Sequence, residues 1–187
     1  VLKNIMIKRK IEKILIYLKD KIKHNFSDIE IFNFFENNKL IILLLLQNNI
    51  ITIDKTLCDK ILLKNDDDQF FSHFFFPEIN DNESKQRIEE EISQMDPNIF
   101  DNFEQKRKHG ENDSIICTII RKDSVNEFVE FIKKSNFSLS NKIIPSIFET
   151  NEFLINKTPT LIEYATFYRS IQIIQYLRIN QVELTPS

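Results

Sequence analysis

Three observations predict an all-α fold, an irregular solenoid of helical hairpins. Apolar residues recur at helical rather than strand spacing along most of the chain. The helix-opening signature Ser/Thr-x-x-Glu occurs at Ser27–Glu30, Ser124–Glu127 and Thr160–Glu163, each before a short apolar run. Among 187 residues there is one glycine, Gly110, which argues against sandwiches and barrels, whose many turns need positive φ. With 42% apolar residues and 17 Phe, the chain can bury a core, as one large or two small domains.

Taken in order, Ile7, Ile11, Ile14, Leu15, Leu18 and Ile22 predict the buried face of a first helix. Lys8, Arg9, Lys10 and Lys13 are expected to turn mostly away from it. Ser27 and Glu30 open a second helix. The run Leu40–Leu46 predicts a third, too short for the ~20 residues that span a bilayer. Asp54 caps a helix reaching Leu63. Asp66, Asp67 and Asp68 then lead into Phe70, Phe71, Phe74, Phe75 and Phe76, ended by Pro77. This cluster is expected in the core, a docking patch being the other use open to it. Ser84–Met95 and Pro97–His109 read as two more helices, the latter with Asp96 at its N-cap, Pro97 at its first position and Gly110 just past its end.

The C-terminal part shows internal similarity. Residues 158–177 form two short amphipathic segments with a tight connection. Ser170–Leu177 overlays Ser124–Phe131 at an offset of 46, with an insertion, Phe137–Asn156, between them. A looser overlay on Lys39–Leu46 sets Val182 on Ile51 and Leu184 on Ile53.

The layout of Thr158-Pro159-Thr160-Leu161-Ile162-Glu163-Tyr164-Ala165, with the second segment ending at Leu177, resembles an ankyrin repeat. With Pro145–Asn151, Phe76–Ile79, Gly110–Asp113 and Val182–Ser187, the chain resembles the large ankyrin-repeat families expanded in trichomonad parasites. The resemblance runs from about Phe76 to the C-terminus and is diffuse before it. It implies a divergent helical-hairpin region over 1–110 (a domain of unknown function) leading into ankyrin-like repeats over 111–187, and an array continuing past Ser187. It also implies protein binding and names no substrate. The 46-residue offset departs from the usual period of about 33. Leu161 and Glu163 replace the family's Pro and His, and Arg169 stands where the hairpin turn ordinarily holds glycine. A side chain at positive φ costs about 1 kcal/mol, so a distorted turn is expected there.

Catalytic patterns are missing. Phosphate-cradling loops and the nucleophile elbow both need glycines that this chain lacks. His24, His73 and His109 have no metal-ligand spacing, and the acidic runs Asp66–Asp68 and Glu89–Glu91 have no partner base in sequence. No cofactor, metal or catalytic residue is expected. Cys58 and Cys117 read as free thiols in a reducing compartment. Without a secretory signal, the five Asn-x-Ser/Thr sequons (Asn25, Asn82, Asn112, Asn136, Asn156) are expected unused and the chain intracellular and cytoplasmic. Starting without Met and ending where a repeat would open, it reads as a fragment of a longer protein.

Two functions from different classes fit these patterns. The first is a protein-binding solenoid. By resemblance it turns Tyr164, Phe167, Tyr168 and Arg169 toward a partner, with Asn156 and Lys157 at a neighbouring loop. Tyr164 and Phe167 have an alternative use, packing against a following repeat. The second is a peripheral adaptor attached to a membrane surface or nucleic acid through the basic N-terminal helix. Residues 1–24 carry eight Lys/Arg against Glu12 and Asp20, a net of +6, whereas residues 66–104 carry a net of −10. Lys8–Lys10 and Lys106–Lys108 are candidate nuclear-localisation or nucleic-acid patches, although the aromatic interleaving of single-strand binders is missing.

Overall fold

A computed structural model describes residues 2–64 and 68–182. Asp66 and Asp67 of the acidic run, and residues 183–187 with the Leu184 overlay, lie outside the described residues. Among the described residues there are eleven α-helices and no β-strand: α1 Leu2–Asn25, α2 Asp28–Phe35, α3 Lys39–Gln47, α4 Lys55–Leu63, α5 Phe71–Phe74, α6 Asn82–Met95, α7 Phe103–His109, α8 Ile115–Lys122, α9 Val125–Ser135, α10 Leu161–Tyr168 and α11 Ile171–Ile179. They divide into two compact units. The N-terminal unit takes residues 2–111 with Thr150–Glu152. The C-terminal unit takes Asn112–Glu149 and the described residues from Phe153.

In the N-terminal unit, side-chain caps set the helix starts. Ser27 and Glu30 form the predicted box: the Ser27 amide donates to Glu30 Oε2 at 2.9 Å, and the Glu30 amide to Ser27 Oγ at 3.4 Å. Asp54 accepts from the Leu57 amide at 2.9 Å and opens α4. Helix α3 is apolar on nearly every side and is accordingly buried, with Ile42, Leu43, Leu44 and Leu45 at or below 1% exposure. Phe71, Phe74 and Phe75 pack as core, while Phe70 and Phe76 are half-buried.

Three expectations for this unit are corrected. First, Ile7 and Ile14 are 50% and 57% exposed. The inward face of α1 is Lys8, Ile11, Glu12, Leu15, Leu18, Lys19 and Ile22, of which Leu15 is buried and the others half-buried. The cause is electrostatic. Lys19 Nζ donates to the Asn48 carbonyl at 2.8 Å, Lys23 Nζ to that of Asn49 at 3.2 Å, and Lys8 Nζ to that of Lys108. These carbonyls close α3 and α7, whose C-terminal ends carry partial negative charge. Burial pushes the Lys8 ammonium below its ordinary value, with Glu12 opposing that shift.

Second, the helix predicted over 97–109 forms only from Phe103. Asp96 instead accepts from the Asn98 amide at 2.9 Å and closes a turn. Gly110 does end α7, in the left-handed region at φ 71°. A Cβ there would lie 2.8 Å from Thr150 Oγ1, which donates to the Gly110 carbonyl, so the close approach and the left-handed backbone both favour glycine. Third, Arg107 in the middle of the expected basic patch is 1% exposed.

The C-terminal unit is two hairpins, α8–α9 and α10–α11. Helix α8 packs on α10 and α9 on α11 around Ile120, Phe128, Leu161, Ala165, Ile173 and Leu177. Residues 137–159 join them without a helix, but Ile143 and Leu154 reach the core, and the Ile143 amide donates to the Pro159 carbonyl at 2.7 Å. Both hairpins turn in the same way. Asp123 and Arg169 are left-handed at φ 53° and 58°. The next residue's amide then reaches back into the helix, Ser124 to the Ile119 carbonyl at 3.4 Å and Ser170 to that of Ala165 at 2.9 Å. The turn at Arg169 therefore has regular C-cap geometry rather than the distortion expected of it. Five of the seven non-glycine residues described at positive φ are Asn or Asp, the side chains that adopt this conformation most cheaply. This is how a chain with one glycine makes its turns.

Candidate functional site

The candidate surface is the outer part of the α10–α11 hairpin, and local signals place it. Thr160 and Glu163 form the predicted capping box: the Thr160 amide donates to Glu163 Oε2 at 2.7 Å, and the Glu163 amide to Thr160 Oγ1 at 3.3 Å. The Ser124–Glu127 signature behaves differently. Ser124 makes no cap and its hydroxyl donates to Glu127 at 3.0 Å. Two polar ties then lock the second hairpin on the first. The Asp123 carboxylate accepts from the Gln172 and Ile173 amides, both at 3.1 Å, and so caps α11 from the opposite hairpin. Ser170 Oγ donates to the Ile120 carbonyl at the end of α8, at 2.6 Å.

The six residues predicted to meet a partner separate into three groups. Phe167, at 42% exposure, and Arg169 lie on the surface, as do Asn156 and Lys157 in the connecting segment. Tyr168 is half-buried, its ring tilted against Tyr164 at 4.8 Å and edge-on to Phe167 at 5.1 Å, with the Arg121 guanidinium 5.8 Å from its ring centre. Tyr164 is a correction. It is 1% exposed, and its hydroxyl accepts from Arg121 Nη1 at 2.7 Å, so it belongs to the core between α8 and α10. Burial, aided by the nearby Cys117, pushes its phenol well above the ordinary value, so it stays a neutral hydrogen-bonding group. Burial likewise pushes the Cys117 thiol up against opposing hydrogen bonds from Ser114 and Tyr164, which makes it a poor nucleophile.

Charged chemistry in the N-terminal unit is more extensive than sequence spacing indicates. Arg107 grips Glu78 with two bonds of 2.6 and 2.7 Å, donates to the Phe74 carbonyl at 2.8 Å and reaches Glu104 at 3.1 Å. Lys39, 1% exposed, pairs with Asp68 at 2.7 Å. Both cations approach the Phe74 ring, Lys39 at 5.2 Å and Arg107 at 5.5 Å from its centre. His73 lies 3.1 Å from Glu91, so that acidic run does hold a partner base, and burial lowers the imidazole's pKa despite the carboxylate. None of these three pairs is visible as a motif, because folding alone brings the partners together, as for Arg107 and Glu78 at a separation of 29 residues.

An open cleft of about 340 Å³ is lined by Gln47, Asn49, Thr52, Asn80, Glu78, Glu104 and Arg107, with Leu46, Ile51 and Ile53. Its charged groups, Glu78, Glu104 and Arg107, are paired with one another. Among the described residues no cluster of His, Cys, Asp and Glu could hold a metal ion, Cys58 and Cys117 are buried free thiols, and no helix is long and apolar enough to cross a membrane. Comparison with protein-family models, curated proteins and solved structures gave no match.

Proposed function

We propose that the chain is a non-catalytic scaffold for protein–protein interaction, built of ankyrin-like helical hairpins in its C-terminal part. One observation carries the reading: two hairpins with the same turn are stacked first helix on first and second on second, with Phe167 and Arg169 exposed on the outer one. Stacked hairpins of this kind bury a shared core and present side chains at their turns to a partner. The 46-residue correspondence also bears on what covers the outer hairpin. Asp123 supplies the acceptor that caps α11, and its counterpart Arg169 is a cation that cannot cap a further helix. A third hairpin stacked in the same manner would meet that cation, which favours a partner carrying acidic groups and an apolar pocket for Phe167.

The test is site-specific photo-crosslinking. A photoreactive residue replaces Phe167 and, as a control, Ile144, which is 80% exposed on the connecting segment. The expected outcome is a discrete adduct from position 167 alone, lost when Arg169→Glu is added. Identical adducts from both positions, or none from position 167, would refute the reading.

A further inference from the structure

We infer that the outer face of α1 is a docking surface for anionic phospholipid membrane. This surface belongs to the N-terminal unit and is independent of the hairpin reading above. At 3.6 residues per turn, Ile7, Lys10, Ile14, Tyr17 and Lys21 fall within about 80° of one another, on a stripe outside the face that Leu15 buries. Ile7, Ile14 and Tyr17 are 50%, 57% and 83% exposed. Lys10, Lys13, Lys21 and Arg9 are exposed with them, and Asp20 is the exposed acid among them.

The remaining lysines sharpen the assignment. Lys8, Lys19 and Lys23 spend their charge on the C-terminal carbonyls of α7 and α3 and hold the inner face of α1 against the unit. The helix is therefore fixed lengthwise, and its outer face sets Ile7, Ile14 and Tyr17 beside Lys10, Lys13 and Lys21, apolar groups for the acyl boundary and cations for anionic headgroups. Ile and Tyr enter the boundary between headgroups and acyl chains, while the lysines extend to lipid phosphates. A partner helix would need an unbroken apolar seam, and Lys10 and Lys21 interrupt this one. Duplex DNA would contact the same lysines but leave Ile7, Ile14 and Tyr17 against phosphates with no favourable role.

The test is co-sedimentation of the full chain with phosphatidylcholine vesicles, with and without phosphatidylserine, at low and high salt. Binding should require phosphatidylserine and weaken with salt. The triple variant K10E/K13E/K21E should lower the partition coefficient by roughly 100-fold or more, from about 1 kcal/mol per basic residue at the surface. The variant I7S/I14S/Y17S, altered only at exposed positions, should lower it at least about tenfold while helical circular dichroism stays as in the wild type. Absence of binding to the anionic vesicles overturns the inference. So does wild-type vesicle binding by I7S/I14S/Y17S, or equal retention on duplex DNA that the serine variant leaves intact, which would assign the face to nucleic acid.

Discussion

The two units hold themselves together by different means. The C-terminal unit buries an apolar core and commits its polar groups to backbone: a capping box at Thr160, left-handed turns at Asp123 and Arg169, and ties from Asp123 to the α11 amides and from Ser170 to the Ile120 carbonyl. The N-terminal unit buries Lys39, Asp68, His73 and Arg107 among phenylalanines and pairs them with charges distant in sequence. Backbone caps tolerate many neighbours, whereas a buried charge depends on one partner in one place. The C-terminal unit consequently rests on neutral packing and backbone capping, and the N-terminal one on charge pairs that folding must bring together.

The contrast breaks most visibly at Arg107. Replacing it with Leu leaves Glu78 without its two-pronged partner and the Phe74 carbonyl without a donor. Removing one member of a buried pair costs about 3–5 kcal/mol, so urea denaturation should show that loss. Adding Glu78→Gln should recover a large part of it. A loss below about 1 kcal/mol for R107L would mean that the buried network is not what holds the N-terminal unit.

Glycine at the two equivalent turns should then have opposite signs. At Asp123 it relieves the left-handed backbone but removes the acceptor of two α11 amides, for a net loss of about 1 kcal/mol. At Arg169 no comparable acceptor is lost, and glycine should stabilise by about 0.5–1 kcal/mol. Thermal melts of both variants check this, and shifts of the same sign would show that Asp123 does not clamp the second hairpin.

The smallest effect at neutral pH belongs to His73. Burial lowers its pKa below the ordinary 6.5, against the opposing pull of Glu91 and Asp68. The unfolded chain therefore takes up a proton more readily than the folded one, and stability rises with pH in that range. The contribution is complete above pH 6.5 and is lost as pH falls through the folded-state value. Urea midpoints measured downward from neutrality should fall more steeply for the wild type than for His73→Leu. Parallel slopes would contradict a neutral buried imidazole.

Much of the local structure is legible in the sequence. The boxes at Ser27 and Thr160, the cap at Asp54, the stop at Gly110 and the core role of the phenylalanines all rest on signals within a few residues. The candidate surface is legible in part. Helical spacing locates the hairpin, but it cannot tell which side of α10 meets α8. Tyr164 and Phe167, three residues apart, thus read alike in sequence although one is buried and the other exposed.

By itself the sequence determined the class of the fold, the starts of several helices, the stop at Gly110 and the turn at Arg169. Each of these follows from hydrogen bonds and backbone conformations local to a few residues. Tertiary structure alone decided which face of α1 turns inward, that Arg107 is a core residue within a basic run, and that Asp123 caps a helix 49 and 50 residues onward, at Gln172 and Ile173. Those outcomes depend on which charges meet which carbonyls and carboxylates within each unit, and only the packed chain sets those distances.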